Sequence, residues 1–118
     1  MSKQLNEIDE MKMDNLVYDY FRIIDAKVVS VKVPEGSGVL KRGQILDFNK
    51  EEKSYEVHRS AGIANCIVCS DAEYTEEDST IPVSVYISGD FRKSGIISEL
   101  ELDVSDEENL RSAGIILK

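Results

Sequence analysis

Apolar and polar residues alternate along most of the chain in short blocks, which is the pattern of β-strands with one solvated face. Residues 26–33 interleave valines with two lysines and therefore predict a strand, which Pro34 and Gly36 end. Residues 44–48 and 55–58 lie on either side of a polar connection and predict the two strands of a hairpin.

Three further segments follow in the second half of the chain. Residues 63–69 are almost continuously apolar and of strand length, which indicates a central strand buried on both faces. Residues 71–80 hold five acids and few apolar side chains, so we expect a solvated loop there. Residues 83–88 alternate again, and Gly89 is expected to end that strand.

A single helix is predicted near the end of the sequence. Ser105 and Glu108 have the Ser-x-x-Glu spacing of a capping box, and Gly114 can end the helix in a left-handed conformation. Residues 115–117 return to apolar character as a terminal strand or a packed tail. Six or seven short strands and one short C-terminal helix predict a mainly-β, compact single domain with a barrel-like arrangement.

Length and charge narrow the class of protein. A chain of 118 residues has the size of one domain and can bury a core without disulfides or metals. Its 14 Lys and Arg oppose 23 Asp and Glu, for a net charge of −9, and residues 61–118 carry twelve acids but four bases. Phosphate binding requires concentrated Lys and Arg, so we expect neither nucleic acid nor a membrane as a partner.

The first 21 residues differ from the rest of the sequence. Residues 1–15 are mostly charged or amide-bearing, and too few apolar side chains are present to offset the entropy of ordering the backbone, which predicts a flexible arm. The aromatic and β-branched residues from Leu16 to Phe21 suit strand addition on a partner. We therefore divide the chain into an N-terminal arm, residues 1–21, and a β domain, residues 22–118. The side chains expected to contact a partner are Leu16, Val17, Tyr18, Tyr20 and Phe21.

The residue types that carry chemistry do not form a catalytic or metal-binding pattern. His58, the only histidine, falls on a predicted hairpin strand and is expected to be a solvated or hydrogen-bonded strand residue. Cys66 and Cys69 have Cys-x-x-Cys spacing, but residues three apart on a strand point to opposite faces, which predicts two small buried side chains. We expect no enzymatic activity, no bound metal and no cofactor.

An alternative class of protein rests on a motif near the N-terminus. Met11-Lys12-Met13 resembles the sequence around a biotinylated lysine, and residues 38–46 are similar to a glycine turn of biotinyl and lipoyl domains. In those domains the modified lysine lies at a hairpin tip after several strands, whereas Lys12 precedes every predicted strand. A biotinyl- or lipoyl-like carrier barrel, or another small-molecule-binding β module, is therefore the alternative function.

Four motifs, in their order and spacing over residues 31–118, resemble the lambda-type phage head decoration proteins. The first is the Leu-Lys-Arg-Gly turn within residues 38–46, and the second is the apolar strand 64–68 with acids after it. The third is the valine-rich segment 82–91, which ends in a glycine and an aromatic residue, and the last is the closing run 110–117.

The resemblance implies a structural protein of a viral capsid. Such proteins have compact β-clip or β-tulip folds, assemble as homotrimers and stabilise the mature head from its outer surface. Their N-terminal arms become ordered against the shell of major capsid protein. The implied location is the outer capsid surface of the virion, after synthesis from phage or prophage genes in the cytoplasm of a bacterial host.

Overall fold

The structure, a computed structural model, describes residues 16–18, 24–59, 62–98 and 101–118. These segments form eight strands, one α-helix, α1 (Val104–Ala113), and one turn of 3₁₀ helix (Lys93–Gly95). The strands are β1 (Asp25–Lys32), β2 (Gly38–Leu40), β3 (Ile45–Asn49), β4 (Ser54–Val57), β5 (Ala64–Val68), β6 (Ala72–Tyr74), β7 (Thr80–Phe91) and β8 (Ile115–Leu117).

Five of these strands close into a barrel. The hydrogen-bonded order is β1-β4-β3-β5-β7, and β7 pairs back with β1. The β1–β7 pairing is antiparallel and extends from Asp25 beside Ser88 to Lys32 beside Thr80. Closure pairs strands that would otherwise present open edges to solvent. The predicted mainly-β, barrel-like single domain with one short C-terminal helix is confirmed.

The core fills the inside of this barrel and continues under the helix. In β3, Ile45, Leu46 and Asp47 are consecutive buried residues, so this strand is covered on both faces. Helix α1 packs on β5 and β8 through its buried Leu110, which explains the nearly continuous apolar sequence of β5. The largest fully buried side chains are Leu16, Val17, Val31, Leu40, Ile45, Leu46, Ile67, Val68, Val83, Phe91, Leu110 and Ile115.

The prediction that Gly89 ends its strand is wrong. Strand β7 continues through Gly89, whose φ of 131° lies in a region that side chains disfavour. From Gly89 onward the last residues of β7 have a new neighbour, because Gly89 to Phe91 pair in parallel with Ile115 to Leu117 of β8. The predicted terminal strand over residues 115–117 is confirmed.

The structure corrects two other expectations, one on residues 71–80 and one on the start of the helix. Within residues 71–80, predicted as a loop, β6 pairs antiparallel with β2. Tyr74 packs closely on Gly38 across this pair, where an added Cβ would lie 2.6 Å from the tyrosine hydroxyl. The N-cap of α1 is Asp103 rather than Ser105, because the Asp103 side chain accepts from the Asp106 amide, and the Asp106 side chain accepts from the Asp103 amide.

The turn before β3 depends on Gly43, and we predict that substitution there is costly. Gly43 has a φ of 99°, its amide donates to the Val68 carbonyl, and its carbonyl accepts from the Ile97 amide. An alanine Cβ would lie 2.5 Å from the carbonyl oxygen of Gly95. Gly43→Ala is therefore expected to lower the free energy of unfolding by about 3 kcal/mol or more, from left-handed strain plus overpacking.

Gly36→Ala is the matched control for that measurement. Gly36 also has a positive φ, 95°, but nothing lies within 4 Å of the position that an alanine Cβ would occupy there. Strain alone should cost about 1–2 kcal/mol in urea unfolding. Equal losses for the two variants would contradict the role assigned to the close contact at Gly43.

Candidate functional site

Residues 16–18, which we call the docked segment, lie along the end of β7 on the side opposite β8. Val17 forms an antiparallel bridge with Phe91. The Tyr18 amide donates to the Asp90 carbonyl at 2.9 Å, and the Arg92 amide donates to the Leu16 carbonyl at 2.6 Å. The end of β7 is thus held between one segment from the start of the chain and one strand from its end.

The docked segment belongs to the core of the β domain. Leu16 is 1% exposed and Val17 is 2% exposed, and both join the same buried cluster as Phe91. Burying a side chain of this size contributes about 1.5–3 kcal/mol. The division of the chain at residue 21 assigned these residues to the arm, whereas the structure packs them into the body.

Among the residues predicted to contact a partner, the structure separates inward from outward side chains. Leu16 and Val17 are buried in the core of their own chain, while Tyr18 is 47% exposed. Tyr20 and Phe21 lie outside the described residues, as does Lys12 of the alternative carrier hypothesis. Tyr18 is therefore the member of this set that the described structure presents to a partner.

Two cations hold the Tyr18 ring in place. The guanidinium carbon of Arg92 lies 5.2 Å from the ring centroid, and Nζ of Lys118 lies 5.1 Å from it. Lys118 Nζ is also 3.2 Å from Oδ2 of the buried Asp90. The Lys118 backbone amide donates to the Phe91 carbonyl, so the end of the chain is fixed beside the ring. Cation–π contacts of this kind are worth about 0.5–1 kcal/mol at exposed sites.

The docked segment lies beside an unusual concentration of positive charge. Residues 61–118 contain four bases, and three of them, Arg92, Lys93 and Lys118, lie on the stretches that flank it. Lys93 Nζ is 2.5 Å from a carboxylate oxygen of Glu107, so part of this charge is neutralised. The docked segment is therefore flanked by an aromatic and basic surface in a half of the chain that is otherwise acidic.

A buried polar cluster around His58 was missed by sequence reasoning. The imidazole lies just after β4, with Nδ1 2.5 Å from Oδ1 of Asp47 and Nε2 3.2 Å from Oδ1 of Asp106. The expected hydrogen-bonded residue is therefore present, but it is buried. One signal pointed to the cluster: Asp47 interrupts the apolar residues of β3. Asp106, in contrast, is distant in sequence and carries no local signal of this contact.

The two cysteines occupy different environments and are both free thiols. Burial raises the pKa of the Cys66 thiol to about 12, because the thiolate would lose its hydration. Cys69 is half-buried next to Tyr86. Burial also raises the pKa of the Tyr86 hydroxyl, which accepts a hydrogen bond from the Arg42 guanidinium at 3.2 Å.

Across the described ranges, His, Cys, Asp and Glu side chains form no group of three that could hold a metal ion. Nor does any helix in those ranges have the length and apolar character needed to cross a membrane. In comparisons with known proteins, no protein-family model matches the chain and no curated protein matches it.

We predict that substitutions of the buried and the exposed residues of the docked segment lower the free energy of unfolding by different amounts. Leu16→Ala should lower the free energy of unfolding by about 3 kcal/mol, since it removes a buried side chain and leaves a cavity. Tyr18→Ala should cost less, about 1–2 kcal/mol, because it removes two exposed cation–π contacts and no fully buried side chain. Urea unfolding measures both values, and a loss for Leu16→Ala no larger than that for Tyr18→Ala would contradict the docking of residue 16.

We also predict unequal alkylation of the two thiols. At about pH 8 the Cys66 thiol is buried and protonated in the native protein, so iodoacetamide should leave it unmodified while Cys69 reacts slowly. The denatured protein, in which both thiols are accessible, provides the control. Peptide mass spectrometry locates the label, and native labelling of Cys66 at the rate of Cys69 would show that the β5 core opens readily.

Proposed function

We propose that this protein is a structural protein of a phage or prophage head: a decoration protein that binds the outer capsid surface as a homotrimer and stabilises the mature head. The observation that carries the proposal is the resemblance, in order and spacing, of the motifs over residues 31–118 to those of lambda-type head decoration proteins. The mainly-β barrel fits the compact β fold that the resemblance implies.

The places of these motifs in the fold support the proposal. The glycine turn of the first motif contains Gly43, which joins β5 to the segment after the 3₁₀ helix. The second motif is β5, and the third forms most of β7. The closing run provides the end of α1 and β8, which pairs with β7. The four motifs are thus far apart in the sequence but contact one another in the folded β domain.

In this proposal, the docked segment attaches residues 1–15 to the β domain at a fixed point. Residues 1–15 precede Leu16, which is buried, so any contact they make with the shell is tethered beside Tyr18. Tyr18, Arg92 and Lys118 add an aromatic and basic surface at the same point. In this proposal residues 1–15 and Tyr18 contact the shell, while Leu16 and Val17 anchor that contact to the barrel.

The proposal is tested by removing residues 1–15 and leaving the docked segment in place. The shortened protein is mixed with undecorated heads assembled from the major capsid protein of the same phage or prophage, and binding is measured by co-sedimentation. We expect a folded trimer that needs at least about thirtyfold higher concentration to bind, since losing an interface anchor often costs about 2 kcal/mol and three arms act together.

Two point variants refine this experiment. Tyr18→Ala should weaken head binding, whereas Val28→Ala, at an exposed position of β1 away from the docked segment, should bind like the unmodified protein. Full binding by the shortened protein would place the shell contact on the body. A monomer at high concentration in analytical ultracentrifugation would contradict the trimer, and no binding of the complete protein to heads would contradict the function.

A further inference from the structure

The imidazole of His58 bridges two elements that are distant in sequence. Asp47 belongs to β3 and Asp106 to the first turn of α1, and His58 contacts one carboxylate through each ring nitrogen. The side chains of His58 and Asp47 are each 3% exposed, and that of Asp106 is 14% exposed. Buried charges are tolerated when they are paired and hydrogen-bonded, so the donors around these carboxylates decide whether the arrangement is stable.

Each carboxylate oxygen in this cluster faces one nitrogen. Oδ2 of Asp47 accepts from the Arg59 backbone amide at 2.9 Å, and Oδ2 of Asp106 accepts from the Asp103 backbone amide at 3.1 Å. The remaining oxygens face the two ring nitrogens of His58. A neutral imidazole has one N–H, while the imidazolium has two. A nitrogen that carries a proton therefore faces each of the four oxygens only when the ring carries both protons.

The packing around Asp47 indicates that the cluster is built for a carboxylate at this position. A Cβ added at Gly62 would overlap Oδ2 of Asp47, so the backbone at Gly62 passes directly over the carboxylate. The Gly62 amide donates to the Arg59 carbonyl, and the Arg59 amide donates to Asp47. Arg59 and Gly62 thus pack closely around one end of the bridge.

The two ends of the bridge differ in strength. The contact with Asp47 is shorter and more deeply buried than the contact with Asp106. A ring with a single proton therefore keeps it on Nδ1, toward Asp47. Nε2 then presents a lone pair to the Asp106 carboxylate, which is repulsive. Asp106 is also part of the capping box at the start of α1, so the repulsion acts directly on that helix end.

We propose that His58 is a proton-dependent latch, which ties the start of α1 to the β3–β4 hairpin when both ring nitrogens are protonated and releases that helix end when Nε2 loses its proton. Histidine ordinarily gains or loses this proton near neutral pH. The latch is independent of the proposed function. Its direction follows from the geometry: the attachment of α1 is strongest at lower pH and weakens as rising pH removes the second proton.

Other charged groups near the ring are already paired with each other. Lys32, Glu56, Arg59 and Tyr74 line the cleft beside the imidazole. Lys32 binds Glu52, and the Arg59 guanidinium binds Glu56, both at 2.6 Å. On the helix side, the Asp103 carboxylate accepts from the Asp106 amide. The carboxylates in direct contact with the ring are that of Asp47, which is hydrogen-bonded to Nδ1, and that of Asp106, whose Oδ1 lies 3.2 Å from Nε2.

The protonation of the ring can be read directly, because His58 is the only histidine. In protein labelled with ¹⁵N-histidine, we expect two ring N–H protons at the acid end of a pH series and one at its alkaline end. The amide signals of Asp106 and Glu107 should shift with the same midpoint, since they belong to the released helix end. A single ring N–H at every pH, or helix amides that do not follow the ring, would overturn the proposal.

Asp106→Asn tests the helix side of the latch, with Glu108→Gln as its matched control. Both variants remove one negative charge from α1, but the Glu108 side chain is 61% exposed and contacts Arg111 rather than His58. Asp106→Asn should lower Tm by about 5 °C while the ring carries both protons, and the deficit should shrink once the second proton is lost. Glu108→Gln should show no such dependence. A constant Asp106→Asn deficit across the ring titration would overturn the latch, and the labelled wild-type spectrum decides the matter if that variant fails to fold.

Discussion

The β domain depends on the continuity of β7 through Gly89. Before the glycine, β7 pairs with β1 and β5 and closes the barrel. Beyond it, the same strand pairs with β8 on one side and with Val17 on the other. Because one strand serves both regions, the barrel, the C-terminal strand and the docked segment form one cooperative core. A residue that could not adopt the backbone conformation of Gly89 would separate them.

The sequence correctly predicted the strands, the hairpin connection and the helix end whose signals lie within a few neighbouring residues. The interleaved valines of β1, the polar connection between β3 and β4, and the apolar run of β5 each formed as expected. Gly114 ends α1 with a φ of 109°, as its position predicted. In each case the alternation or the turn residue acts within a few positions, so single-sequence reasoning can detect it.

The features that were missed depend on partners far away in the chain. Nothing within residues 71–80 indicates that β2 will pair with Glu73 and its neighbours. Leu16 and Val17 have the composition of a strand that binds a partner, and the partner is the chain's own Phe91. Likewise, the environment of His58 is created by α1, which starts well downstream. Tertiary packing determines the contacts of such residues, and the pattern of a single sequence does not show which distant segments will pack together.

Both flanks of the end of β7 come from distant parts of the chain, and this has a consequence for how the protein is made. Val17 is synthesised early, but Phe91 and β8 emerge from the ribosome much later. The apolar side chains of the docked segment therefore lack their binding edge during most of translation, and the last core contacts close only after residue 117 has been added. Pairings of such long sequence separation fold slowly. We therefore expect this edge of the β domain to form after the local hairpin of β3 and β4.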